Sequence, residues 1–194
     1  MSDAELLPHL RFATSLEATL DEVWHRLSRG VKDRRSAMRH PTLATVDVQG
    51  RAAMRTIVLR AANRSDATLT FHTDRLSAKI AEIEQQPDIS LHVWDDSCNL
   101  QLRISALARI ITGADAEAAW HKVPEGSRAA YGAVPAPGTP INGADAFAVE
   151  PSADRFAVIE CDLKRIETLC LTPVQHYRAL FDSANGWRGQ WLVP

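Results

Sequence analysis

The chain reads as a mainly β (α+β) protein, an antiparallel β-barrel with flanking helices. Short apolar segments with period-two alternation fill residues 42 to 111, and clusters of turn-forming residues separate them. Only one helix interrupts these segments, so the regular βαβ alternation of a parallel sheet is missing. At 194 residues, 45% hydrophobic and 24% charged, the chain suits one well-buried core rather than two. We expect a single domain, 1–194, divided into an N-terminal helix and basic linker (1–40), a barrel core (41–112), helices with a Pro/Gly-rich loop (113–150) and C-terminal strands (151–194).

The elements follow in order. Ser15 caps a helix whose apolar positions Leu16, Leu20, Val23, Trp24 and Leu27 recur at helical spacing, with a stop expected near Gly30. A basic stretch from Lys32 to His40 reads as a solvated linker, and Pro41 starts a new element. From Thr42 the period is two, and Gln49-Gly50 turns the chain into a second strand, Ala52 to Arg60. Asn63 to Asp66 turns it again, into Thr68 to Thr73. Leu76 to Gln86 is a short helix stopped by Pro87, and strands follow at Ile89–Trp94 and Leu100–Ile111. Helical turns are expected at Ala114–Lys122 and Ser127–Tyr131. Five Pro and Gly residues make Val134–Gly143 a loop, of the kind that serves as a lid or a partner contact. Four strands close the chain: Phe156–Leu163, Lys164–Leu171, Val174–Phe181 and Trp187–Val193, the last two joined at Asn185-Gly186.

Charge and composition exclude several function classes. Lys+Arg of 22 against Asp+Glu of 24 gives a net charge of -2, which offers no general attraction for nucleic acid. No apolar run approaches the roughly 20 residues of a membrane span. Asp3 and Glu5 interrupt the stretch where a signal peptide would lie, so a cytoplasmic protein is expected. Cys98, Cys161 and Cys170 form no C-x-x-C pair and read as buried thiols, and the scattered histidines argue against zinc.

The stretch Arg55 to Lys79 gathers the residue types that a phosphate-bearing ligand needs. Arg55 and Lys79 supply cations, Thr56, Thr73 and Ser77 supply hydroxyls, and the following helix presents free N–H groups with the positive end of its dipole. Arg55 and Arg60 are five apart, so on a regular strand they face opposite ways and cannot both be assigned to one phosphate. Gln101 offers an amide donor and acceptor for the polar edge of a heterocycle.

In their order along the chain, these segments resemble the pyridoxamine 5′-phosphate oxidase-like family of FMN-binding split barrels. Arg55-Thr56-Ile57-Val58-Leu59-Arg60 is similar to the family's R-x-V-L-L-K strand. Phe71-His72-Thr73-Asp74 with Ser77-Ala78-Lys79 is similar to F-Y-T-N…S-R-K, and Gln101-Leu102-Arg103-Ile104 to R-Q-V-R-I. The ending from Arg178 through Trp187 to Leu192-Val193-Pro194 resembles the family's C-terminal strand pair. The resemblance implies a six-stranded Greek-key split barrel and a homodimer with FMN at the subunit interface. Arg55 and Lys79 would then hold the FMN phosphate with Ser77 or Thr56 assisting. Main chain at Thr56, Ile57, Val58, Leu59, His72 and Thr73 would line the ring system, and Gln101 and Arg178 would complete the cofactor site.

At the cofactor end Arg60 replaces the family's lysine, His72 its tyrosine and Ala78 an arginine, which removes one phosphate cation; the departures on the substrate side matter more. Of the tyrosine, arginine and serine that hold the substrate phosphate in the family's vitamin B6 oxidase only Ser127 fits, with Val123 where the arginine would fall. The R-x-H pair that completes the pocket keeps His176 but has Val174 for its arginine. This argues against pyridoxine 5′-phosphate as substrate. Arg60, Ser127, Arg128 and His176 are the expected pocket residues for another small molecule or electron donor. The resemblance leaves two alternatives: a non-catalytic flavin carrier or sensor, and a split barrel using a deazaflavin or a haem-derived ligand.

Overall fold

A computed structural model of the chain describes residues 8–173 and 175–194; the readings made for Met1 to Leu7 and for Val174 lie outside the described residues. Helix α1 (Leu16–Lys32) begins at Ser15, whose hydroxyl accepts the Ala18 N–H at 3.3 Å. It buries Thr19, Val23, Trp24, Leu27 and Gly30. The expected stop at Gly30 is corrected: the helix runs through it, because the glycine admits a close neighbour rather than ending a turn. A Cβ at that position would lie 2.7 Å from Met38 Cβ. Met38 sits on the 3-10 turn Ala37–Arg39 and is fully buried, so the basic stretch docks on α1 instead of floating in solvent. Arg39 secures it by donating to the Val31 carbonyl at 2.8 Å.

Strand β1 (Thr42–Val46) pairs with β2 (Ala52–Thr56). Between them the Asp47 carboxylate accepts from the N–H groups of Gln49 and Arg51, so Asp47 to Gly50 form the turn. The expected strand Ala52–Arg60 is broken in two. The Ile57 N–H turns to the Pro41 carbonyl, and the chain resumes as β3 (Leu59–Asn63) on a new partner, β4 (Thr68–Asp74). A register shift between Leu59 and Ala61 places Arg60 at a bulge. Then come α2 (Ala78–Gln85), β5 (Asp88–Asp95), β6 (Leu100–Ile111) and α3 (Ala114–His121). Within the Pro/Gly-rich excursion, β7 (Ala133–Val134) and β8 (Ala148–Val149) pair as a short ladder that the composition did not suggest.

The last third differs most from expectation. Phe156 to Leu171 is one strand, β9, not two. No turn residue divides it; a register shift opposite Ser105 and Ala106 leaves Lys164 as an extra residue, so a bulge bends the strand without ending it. Along one edge β9 pairs with β6 throughout. Its other edge is shared: residues 156–162 pair with β4 and residues 165–171 pair with β10 (His176–Asp182). Strand β11 (Gly189–Leu192) completes the extension after a short 3-10 turn, Ser183–Asn185, with Gly186 at φ 70°. A two-residue hairpin is therefore replaced by a longer connection.

Tracing partners closes a ring: β1 to β5, β6, β9, β4 and β3, which continues from β2, itself paired with β1. Counting β2 and β3 as one bent strand, this is a six-stranded antiparallel barrel, split where β9 leaves it for β10. The barrel consequently extends beyond 41–112, since the first half of β9 is one of its walls. Leu43, Leu59, Leu69, Phe71, Leu102, Ile104, Ile159 and Ile166 fill the main core. A second cluster on the outside, Ala116, Val123, Tyr131, Phe156 and Val158, fastens the α3 region to β9. Among the described residues no helix is long and apolar enough to cross a membrane.

Candidate functional site

Four predicted residues converge where β2, β4 and the start of α2 meet. The Lys79 ammonium donates to the hydroxyls of Thr73 at 2.8 Å and Ser77 at 3.1 Å, and those two oxygens lie 3.0 Å apart. Thr73 and Ser77 are buried. Ser77 is the residue before α2, yet its hydroxyl turns to Lys79 instead of capping the helix. The N–H groups of Ala78 and Lys79 accordingly have no partner among the described residues. Burial, followed by the charge of Arg55, lowers the Lys79 pKa below its usual 10.5, while Glu82 and Asp74 oppose the shift.

Arg55 reaches the same place from β2. Its Nη2 donates to Glu82 Oε2 at 2.6 Å and its Nη1 donates to the Thr45 hydroxyl, which in turn donates to Glu82 at 2.5 Å. Sequence reasoning missed Thr45 and Glu82. Thr45 had a signal, a polar residue on the inward phase of an alternating strand. Glu82 had one only in hindsight, as a carboxylate one helical turn from Lys79. Next to them Thr56 is exposed, Ile57 and Leu59 are buried, and the Val58 N–H at the break between β2 and β3 has no partner among the described residues. Asp74 is structural: it accepts from the N–H groups of Leu76 and Gly132 and from Arg155 at 2.9 Å, pinning the end of β4 to the start of β9.

A second group occupies the outside of β3 and β4. His72 packs edge-on against Phe156 at 4.8 Å, and burial, then the nearby Arg60 charge, lowers its pKa to about 4. Arg60 projects from its bulge beside the Tyr131 phenol, with Nε buried and unpartnered among the described residues. Arg128 lies over the Trp120 ring at 4.9 Å and donates to the Val123 carbonyl. Trp120, Tyr131 and Phe156 pack edge-on or tilted against one another, giving an aromatic wall beside Arg60. Ser127 is exposed on the adjoining turn.

The remaining predicted residues lie elsewhere in the chain. Gln101, Leu169 and Arg178 form one cross-strand row on the face of β6, β9 and β10 that points away from the core. Arg178 is held by Glu167 at 2.9 Å, which also binds Arg103. His176 is exposed at the start of β10. Arg55 belongs to a different row, through Leu43, Leu91, Ile104 and Ile166 to Phe181. That row faces the core, whereas Arg178 lies on the outward face of β10, where its contacts among the described residues are Glu167 and the Val193 carbonyl and not the Arg55 cluster. The cysteines are free and buried, and burial pushes Cys161 up to about 12, leaving an unreactive thiol.

The Arg55 cluster therefore offers two cations, two hydroxyls and two free N–H groups at a helix start. That donor set fits a phosphate monoester such as that of FMN.

Comparison with known proteins agrees with this chemistry. Residues 21–112 match the family described as pyridoxamine 5′-phosphate oxidase, FMN-binding domain. A pyridoxine/pyridoxamine 5′-phosphate oxidase 1 from Ralstonia nicotianae is 32% identical over 87 residues, which span 45% of this chain and 40% of that oxidase. Among solved structures, a pyridoxamine 5′-phosphate oxidase-related, FMN-binding protein from Nostoc punctiforme superposes with a TM-score of 0.74 at 26% identity, covering 90% of this chain and 96% of its own. PhzG from Burkholderia lata, solved in complex with tetrahydrophenazine-1-carboxylic acid, gives 0.72 at 19% identity, covering 97% and 98% of the two chains, and shows the shared fold.

Proposed function

We propose that the protein, whose residues 21–112 match the family described as pyridoxamine 5′-phosphate oxidase, FMN-binding domain, is an FMN-dependent oxidoreductase, a cytoplasmic homodimer with the flavin at the subunit interface. The convergence of Arg55, Thr73, Ser77 and Lys79 at the start of α2 carries this reading. Lys79 and Arg55 neutralise the phosphate, Ser77 and the free N–H groups of Ala78 and Lys79 orient it, and the main chain at the β2–β3 break supplies a donor to the ring system. Bound FMN supplies hydride or electron transfer through its ring. Three free, buried thiols suit a reducing compartment.

The substrate is a small molecule other than a vitamin B6 phosphate ester. Val123, where the family's oxidase would carry an arginine, is buried in the outer apolar cluster and offers no charge. Arg60 and Arg128 flank the aromatic wall, and His72 with a pKa of about 4 stays neutral near pH 7. These residues bind a flat reactant with limited negative charge and shield it from water.

Purified protein should be yellow and release FMN on denaturation, and anaerobic NADH or NADPH should bleach it, with reoxidation by a suitable acceptor. A colourless protein that ignores added FMN overturns the reading. FMN binding without any reduction leaves a flavin carrier instead.

A further inference from the structure

Resting on the FMN reading, the structure assigns Glu82 a role in that site: we propose that its carboxylate is an internal anion that competes with the cofactor phosphate for Arg55 and so keeps the flavin exchangeable. Glu82 is buried, with 7% of its side chain exposed, yet it sits among the two cations that should face a phosphate. Its Oε2 accepts from Arg55 at 2.6 Å and from Thr45 at 2.5 Å, while Thr45 also accepts from Arg55. Both terminal nitrogens of the guanidinium are thus engaged before any ligand arrives. Arg55 cannot turn its full fork to a phosphate without loosening this triangle.

Charge counting points the same way. Arg55 and Lys79 contribute two positive charges and Glu82 removes one, and position 78 is an alanine with no charge to add. The subsite has a net charge of one against a phosphate monoester that carries about -1.5 to -2 at pH 7. A carboxylate this close to the phosphate repels it directly and also ties up its best partner. The arrangement lowers affinity at the phosphate end only. Contacts to the flavin ring, made at the β2–β3 break, are untouched.

That separation makes the test. Affinities of the full-length protein for FMN and for riboflavin, which shares the ring and lacks the phosphate, are measured by flavin fluorescence quenching for the parent chain, Glu82→Gln and Glu82→Asp. Glutamine keeps the size and an acceptor for Arg55 and Thr45 while removing the charge; it should tighten FMN about tenfold and leave riboflavin unchanged. Aspartate keeps the charge, so a folded Glu82→Asp protein should bind FMN no more than a few-fold differently from the parent. If Glu82→Gln leaves FMN affinity unchanged or weakens it, Glu82 is not a competitor and the proposal falls. Equal tightening by Glu82→Asp overturns it as well, because charge would not be the cause. A parent chain that binds neither flavin refutes the FMN reading itself, a result distinct from both.

Discussion

His72 and the Arg55 cluster show how single side chains take their chemistry from what packs around them. His72 has an ordinary value of 6.5 lowered to about 4, first by burial and then by Arg60. Between those two values the unfolded chain binds more protons than the folded one at this residue, so stability rises with pH across the window and is lost as acid is added. Urea midpoints at the two ends of the window should show this slope, and His72→Gln should flatten it; an unchanged slope in the variant would assign the acid sensitivity to other groups. The cations and hydroxyls of the site were legible in the sequence because phosphate chemistry limits the residue types and a helix start limits their spacing. Glu82 was not legible, since a glutamate on a short helix is usually solvated, and only the fold reveals that its face of α2 points to β1. Arg60 was separated from Arg55 by counting strand positions, but the bulge that aims it at Tyr131 leaves no mark in the local sequence.

At the level of elements, periodicity located most strands and helices, and the errors fell where a residue serves packing rather than chain direction. Gly30 looked like a helix stop because glycine commonly follows a helix C-terminus. It is an interior contact instead, and its neighbours across the gap are the Cβ, carbonyl carbon and carbonyl oxygen of Met38 at 2.7, 2.8 and 3.0 Å. None of these can be removed by trimming the Met38 side chain. Gly30→Ala gains about 1 kcal/mol of helix propensity, but overpacking of about 1–3 kcal/mol should exceed it. A net loss of stability is expected in urea unfolding, and pairing the change with Met38→Ala should not restore it. A stable Gly30→Ala protein would mean that the turn at Ala37–Arg39 can move away from α1. The undivided β9 follows a related rule: the expected division between Leu163 and Lys164 falls at a bulge, where a polar residue marks a bend in a strand whose pairing with β6 continues.

For the whole molecule, the question is how a cofactor could reach two residue groups that one chain holds apart. Arg55, Ser77 and Lys79 lie at the barrel beside α2, while Gln101 and Arg178 lie in a row on the outward face of the split extension. Beside that row Trp94 is 43% exposed, and Met54, on β2 at the far edge of the same sheet, is 73% exposed. The homodimer proposed above would join the two groups twice over if it apposes the extension of one protomer with the barrel of its partner. Subunit mixing tests this. Arg55→Ala and Arg178→Ala should each weaken FMN binding, because each removes charge-assisted hydrogen bonds worth about 1.5–3 kcal/mol. In a mixed dimer of the two variants, one site carries both defects and the other carries neither, so refolding the weak binders together should recover tight FMN binding at one site per mixed dimer. Recovery requires that Arg55 and Arg178 act from different chains. Loss of binding in both single variants without recovery on mixing would place them in the same chain's site, and a monomer in sedimentation that binds FMN tightly would remove the shared cleft altogether.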